Sequence, residues 1–167
     1  MKPNQALLIV FFLFIGCVSN YKGLTERQFS EKFQIIPYPQ EMELLKGKGL
    51  SFGELNSLKK SDSVKRPIMG QILTLLQENN RVHSGILELK MVDNLKGVTS
   101  EEGYVLVIRN GNAEITSTGE QGLFYGCQTL EQLLEESRDK GFAIPSLRIT
   151  DSPAMKYRAV HIDVKHH

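Results

Sequence analysis

The stretch Thr118-Gly119-Glu120-Gln121-Gly122-Leu123-Phe124-Tyr125-Gly126-Cys127-Gln128-Thr129-Leu130-Glu131-Gln132-Leu133-Leu134 carries the clearest periodicity in the chain. Leu123, Cys127, Leu130 and Leu134 recur at i, i+4, i+7 and i+11, while Glu120, Gln128, Glu131 and Gln132 keep the other side polar, so the stretch is an amphipathic helix. Thr118 stands three residues ahead of Gln121. That spacing offers a capping box and predicts a helix start at about Gly119. Gly122 and Gly126 are costly inside a helix, each by ~1 kcal/mol relative to alanine. Four apart, they share a face without Cβ atoms, which lets another backbone approach closely. The helix is therefore expected to lie tightly against a sheet or a second domain, the alternative being a weak helix with two incidental glycines.

Working outward, Gly103 to Arg109 reads as a strand through Tyr-Val-Leu-Val-Ile, and Asn110-Gly111-Asn112 is a hairpin turn because Asn and Gly accept positive φ. Ala113 to Ser117 is the paired strand and runs directly into the helix. Ile86 to Met91 alternates in the strand manner. Further upstream, Ile68, Ile72, Leu75 and Leu76 share a face in a second helical region, Ser61 to Asn80, with Pro67 suited to its first turn. Phe33 to Gln40 is an extended edge segment interrupted by Pro37 and Pro39. Met42 to Lys46 is a strand, and Gly47 to Gly49 turns into Leu50-Ser51-Phe52. After the helix, Glu135 to Lys140 is a charged, solvated end, and Ile144 to Asp151 is a last strand closed by Ser152-Pro153. This order predicts an α+β fold: a mainly antiparallel sheet with two helices packed on one face.

Residues 122–134, Gly-Leu-Phe-Tyr-Gly-Cys-Gln-Thr-Leu-Glu-Gln-Leu-Leu, resemble the G-x-(F/Y)-Y-G-x-Q-T-L-x-Q-L-L signature that closes the N-terminal domain of glycoside hydrolase family 20, the β-N-acetylhexosaminidases. Ile36-Pro37-Tyr38-Pro39 is similar to the I-P-x-P motif that opens the same domain. The resemblance implies such an N-terminal domain over residues 33–153. Tyr157 to His167 resembles the Y-R-G-x-x-x-D-x-x-R-H segment of the first strand of the family's (β/α)8 barrel, so residues 154–167 are expected to begin a catalytic barrel that is otherwise absent. Ala159 replaces the usual glycine, and His166 stands where arginine is usual. By resemblance, Arg158 contacts hydroxyls of the terminal sugar in an intact enzyme. The family reaction also needs an Asp-Glu pair, the glutamate as acid and base and the aspartate orienting the substrate's acetamido group. No Asp-Glu dipeptide occurs in the sequence, so no catalytic residue is assigned. Glu101-Glu102 and Glu135-Glu136 occupy polar segments that read as solvated charge. His161, Asp163, His166 and His167 include zinc-ligand types, but adjacent residues on a strand diverge, so no metal is assigned and no cofactor is implied.

The 167 residues suffice for one domain with a real core. Twenty basic against nineteen acidic residues leave no basic field for nucleic acid. Absence of tryptophan counts against a complete sugar-cleaving site, since saccharide pockets commonly present aromatic faces. Residues 1–16 read as a signal peptide, with Lys2 ahead of the apolar run Ala6 to Ile15. Phe14-Ile15-Gly16-Cys17 looks like a bacterial lipobox, which makes Cys17 the lipidated residue and 17–32 a mobile tether, against the alternative of an ordinary secretory signal. The expected location is the bacterial envelope, lipid-anchored on the periplasmic or outer-membrane side. Cys127 is expected to be a buried free thiol acting as a small hydrophobe. Two functions follow. The first is the N-terminal part of a β-N-acetylhexosaminidase, with a catalytic barrel domain and a glycan ending in N-acetylhexosamine as partners and the membrane reached through the anchor. The second is a free-standing lipid-anchored carbohydrate-binding or scaffold module.

Overall fold

The computed structural model describes residues 25–61, 64 and 85–155. In chain order the elements are α1 (Glu26–Lys32), β1 (Glu41–Leu44), β2 (Leu55–Lys60), β3 (Gly85–Met91), β4 (Tyr104–Arg109), β5 (Asn112–Ser117), α2 (Glu120–Lys140) and β6 (Leu147–Asp151). The six strands form one sheet in the order β1-β6-β4-β5-β3-β2. The fold is α+β, as the element order predicts, but the sheet is mixed. β1–β6, β4–β6 and β4–β5 are antiparallel, whereas β3–β5 and β2–β3 are parallel. Alternation identifies a strand and leaves its direction open. The Asn110-Gly111 turn, with φ 52° and 76°, makes β4 and β5 antiparallel by local geometry. β3 then aligns parallel to β5 because residues 92–103 return the chain past it before β4 begins.

One face of the sheet is apolar. Leu89, Leu106, Ile108, Ile115, Leu147 and Ile149 are at most 1% exposed and meet the predicted stripe of α2, Leu123, Cys127, Leu130 and Leu134, all buried. The two glycines explain how close that contact is. A Cβ on Gly122 would lie 2.1 Å from the carbonyl oxygen of Gly103 and 2.1 Å from Ser117 Oγ, and one on Gly126 would lie 2.5 Å from a methyl of Ile115. Of the two expected neighbours, it is the sheet that approaches. The opposite face carries a ladder of alternating charge, with Lys59–Glu88 at 2.8 Å, Lys90–Glu88 at 3.3 Å and Lys90–Glu114 at 2.6 Å.

Three sequence expectations need correction, and two others fall outside the described residues. The capping box at Thr118 does not form; Gly119 is the N-cap of α2, and the Gly122 N–H is satisfied by the Glu101 carbonyl at 3.0 Å. A capping box stands instead at Thr25, with Gln28 reaching back, and it starts α1 inside the supposed tether. Phe29 and Phe33 stack at 4.9 Å and are 0% and 2% exposed, so this helix belongs to the core. Leu50-Ser51-Phe52 contributes only an isolated bridge, Leu50 to Ile144, and the strand begins at Leu55. The expected helix from Ser61 to Asn80 lies, apart from Ser61 and Val64, outside the described residues, as does the expected first barrel strand.

Candidate functional site: a groove beside helix α2

One flank of α2, where it meets the sheet, borders a groove of about 410 Å³. Its floor is Tyr104 from β4 and Thr129 from α2, joined by a 2.6 Å hydrogen bond between their hydroxyls, with Asp151 of β6 beside them. Burial, more than any charge, pushes the Tyr104 phenol well above its usual range; Thr129 opposes the shift, while Asp151 adds to it. This tyrosine is a neutral hydroxyl and not a base.

One wall is the Ile36-Pro37 segment, held down by a side-chain amide. The Ile36 N–H donates to Gln132 Oε1 at 2.8 Å, and Gln132 Nε2 donates to the Ile36 carbonyl at 3.2 Å. Gln132 thus satisfies both backbone groups of Ile36 as a neighbouring strand would. Further along, the Gln40 N–H donates to Asp151 Oδ1 at 3.2 Å and Gln40 Nε2 to the Ser152 carbonyl at 2.5 Å, which ties the same segment to the end of β6. The other wall is Phe124 and Tyr125, with ring centroids 5.5 Å apart in an edge contact. Ile36 is 75% and Phe124 42% exposed. The described chain leaves by way of Pro153, which also lines the groove.

An open groove with exposed apolar lips and a hydrogen-bonded floor suits contact with another surface. Of the carboxylates that line it, Glu102 and Asp151, the second accepts the Gln40 N–H and so helps to order the wall. Cys127, on the buried side of the helix, is 1% exposed, and burial, with the Glu131 charge as a smaller contribution, pushes its thiol up to about 12. It is a packing group. Among the described residues no three His, Cys, Asp or Glu side chains converge as metal ligands, and no helix is long and apolar enough to cross a membrane. Cys17 and Arg158, the lipidation and sugar-contact candidates, lie outside the described residues, as do His161, Asp163, His166 and His167. Phe124 and Tyr125 stand in the motif quoted for residues 122–134, without a role assigned to them from the sequence. Sequence reading missed Gln132, Tyr104 and Thr129, although Gln132 is a fixed letter of the motif that ends in Leu134.

Comparison with known proteins bears on the same residues. The family "Glycosyl hydrolase family 20, domain 2" matches residues 32–152, from the last residue of α1 to just past β6. A β-hexosaminidase of Porphyromonas gingivalis is 36% identical over 73 residues, which is 40% of this chain and 9% of that protein. A β-N-acetylhexosaminidase of Cellulomonas fimi is 28% identical over 82 residues, 49% of this chain and 16% of that one. The chain thus spans less than a fifth of either relative. Among solved structures, Flavobacterium johnsoniae chitobiase aligns with TM-score 0.56 and 18% identity over 80% of this chain and 23% of that one. A β-N-acetylhexosaminidase from Bacteroides fragilis aligns with TM-score 0.51 and 21% identity over 74% and 25%. These two share the fold. With the family match covering the whole sheet and helix α2, the chain belongs to glycosyl hydrolase family 20 through that family's domain 2.

Proposed function

We propose that this chain serves as the N-terminal, non-catalytic part of a bacterial β-N-acetylhexosaminidase that removes terminal N-acetylhexosamine residues from glycans, and that the groove on α2 receives the catalytic (β/α)8 barrel. The observation that carries this reading is the match of residues 32–152 to the family's domain 2. The exposed lips Ile36 and Phe124, beside the point where the chain leaves the domain, supply the surface such a partner needs. In this reading residues 154–167 enter the barrel as its first strand. Arg158 then offers a planar guanidinium fork to two adjacent sugar hydroxyls. Cys17 carries the lipid that holds the protein to the envelope.

By itself the chain performs no cleavage. Hydrolysis needs a carboxylic acid within hydrogen-bond reach of the leaving oxygen and a second group that stabilises the developing positive charge. In this family's substrate-assisted route that role falls to the acetamido group, oriented by the aspartate of an Asp-Glu pair that this sequence lacks. A barrel site draws its groups from the ends of several strands, which one strand cannot replace.

The test uses the barrel of a family 20 relative stripped of its own N-terminal domain, assayed on a chromogenic aryl N-acetyl-β-hexosaminide. The purified chain alone should give no turnover. Joined to residues 1–155 of this chain, the barrel should regain solubility and activity, and Phe124→Asp should abolish the gain. A barrel that is equally stable and active without this domain refutes the reading. If the isolated chain bound N-acetylhexosamine oligomers through the groove instead, the free-standing carbohydrate-binding module would replace it.

A further inference from the structure

Asn110-Gly111 is the single Asn-Gly pair in the sequence. In such a pair the nitrogen that follows asparagine can reach the side-chain carbonyl carbon, Cγ, because glycine has no Cβ to hold it off. Here the electrophile is wet and the nucleophile is locked. Asn110 is exposed at the tip of the β4–β5 hairpin, whereas Gly111 is buried and its N–H donates to the Gly49 carbonyl at 3.0 Å. Neighbouring bonds fix the rest of the turn. The Asn110 N–H donates to the Lys48 carbonyl at 2.7 Å, and Asn112 Nδ2 donates to the Asn110 carbonyl at 3.2 Å while Asn112 Oδ1 accepts the Ile86 N–H at 2.8 Å. Attack on Cγ needs the Gly111 nitrogen stripped of its proton and turned toward the Asn110 side chain. Both changes break its bond to Gly49.

From this arrangement we propose that Asn110 is a masked self-modification site: its side-chain amide closes onto the Gly111 nitrogen only when the 47–49 loop comes away from the hairpin, and the isoaspartyl product destabilises the sheet that it returns to. In the reaction a solvent base removes the Gly111 amide proton, the nitrogen forms a bond to Asn110 Cγ, and the side-chain nitrogen leaves as ammonia with a proton from water. Water then opens the succinimide ring. Cleavage between the ring nitrogen and Cγ leaves aspartate, and cleavage of the original peptide bond leaves isoaspartate, whose main chain runs through Cβ and Cγ. The net change is one water taken up and one ammonia released. The fold treats the two products differently. Aspartate keeps the main-chain length and accepts the φ of 52° that Asn110 holds. Isoaspartate inserts one further C–C bond, about 1.5 Å, into a turn whose ends are fixed by the pairing of Arg109 with Asn112. No slack takes it up, since a Cβ built on Gly85 would stand 2.3 Å from the Gly111 carbonyl oxygen, so β3 begins against the turn. Each opening long enough to react therefore makes the next one more frequent.

The full chain is incubated in one mildly alkaline buffer with and without denaturing urea, and residue 110 is followed by peptide mass spectrometry with fragmentation that separates aspartate from isoaspartate. Because a buried, hydrogen-bonded N–H must first be exposed, conversion in the native chain should be slower than in urea by at least about tenfold. Native conversion at the urea rate overturns the masking. Chains converted in urea are then refolded by dilution, and the isoaspartyl and aspartyl forms are separated and unfolded again. The isoaspartyl form should have a urea midpoint lower than the parent's by at least about 0.5 M, and the aspartyl form should stay close to the parent. Equal midpoints for the two products overturn the second half of the proposal. Asn110→Gly keeps access to positive φ and cannot react, so after the same urea incubation it should refold with the midpoint it had before. A loss in that variant would assign the damage to another residue and overturn the assignment to Asn110.

Discussion

Replacing Gly122 by alanine sets two effects of opposite sign against each other, and the structure says which is larger. Alanine raises helix propensity by ~1 kcal/mol, so in a solvated helix the change would stabilise. Here the added Cβ would stand 2.1 Å from the Gly103 carbonyl oxygen, 2.1 Å from Ser117 Oγ and 2.9 Å from the Gly103 carbonyl carbon. Two of these atoms are backbone and cannot swing aside; relief requires α2 to lift from the sheet or the 101–103 loop to move. Either motion strains the hydrogen bonds from Gly122 N–H to the Glu101 carbonyl at 3.0 Å and from Ser117 Oγ to the Gly103 carbonyl at 2.7 Å. Overpacking costs about 1–3 kcal/mol, and the two weakened bonds add about 1–2 kcal/mol together. After subtracting the propensity gain, the expected loss is about 1–4 kcal/mol. At a urea slope of about 2 kcal/mol/M, the midpoint should fall by about 0.5–2 M. Gly126→Ala is the comparison, because its Cβ meets the side-chain atoms Ile115 Cγ2 at 2.5 Å and Tyr104 Cδ2 at 3.0 Å. Ile115 is a stiff, buried β-branched residue and Tyr104 is held by Thr129, so relief is partial, but no backbone atom is met and the net loss should be smaller, about 0–2 kcal/mol. The assay is urea unfolding followed by far-ultraviolet circular dichroism. A Gly122→Ala midpoint equal to or above that of the parent would refute the close approach of α2 to the sheet.

Gln132→Ala should free the Ile36-Pro37 wall of the groove with a stability loss of about 1 kcal/mol; accelerated proteolytic cleavage between Phe33 and Tyr38 checks it, and unchanged cleavage counts against the amide clamp. Cys127, with its thiol pushed up to about 12, should resist iodoacetamide at pH 8 in the folded chain and react fully in urea, and rapid alkylation of the native chain would contradict its burial. The charge ladder gives a pH signature. Glu114, followed by Glu88, holds the Lys90 ammonium above its ordinary range, so that part of the stabilisation is full below the unfolded lysine range and is lost as pH rises through the folded one. Lys59, followed by Lys90, holds Glu88 below the ordinary carboxylate range, so its part is present above the unfolded value and is lost as pH falls through the folded one. The stability difference between the parent and Lys90→Met should therefore be greatest at neutral pH, about 0.5–1 kcal/mol after solvent screening, and should shrink toward both extremes and in high salt. A difference that is flat with pH and salt would assign the effect to packing of the lysine stem.

Periodicity and turn chemistry are local, and what depends on them was readable in the chain. The stripe Leu123, Cys127, Leu130, Leu134 is buried as its spacing requires, and Asn110-Gly111 makes the hairpin because those two residues accept the positive φ it needs. The motif that carries the family resemblance is local in the same sense, since it sits on one helix. Strand direction is not local. β3 alternates like any half-buried strand, and only the path of residues 92–103 places it parallel to β5. α1 was missed because seven residues have no period to speak of, and Phe29 and Phe33 became core only when the end of α2 came up against them. The groove has the same cause. Ile36 and Gln132 are 96 residues apart, and no pattern along the chain announces that the amide of one will bond both backbone groups of the other. Side-chain spacing is set by bond geometry within an element, whereas a surface shared between elements exists only after burial of their apolar faces has brought them together.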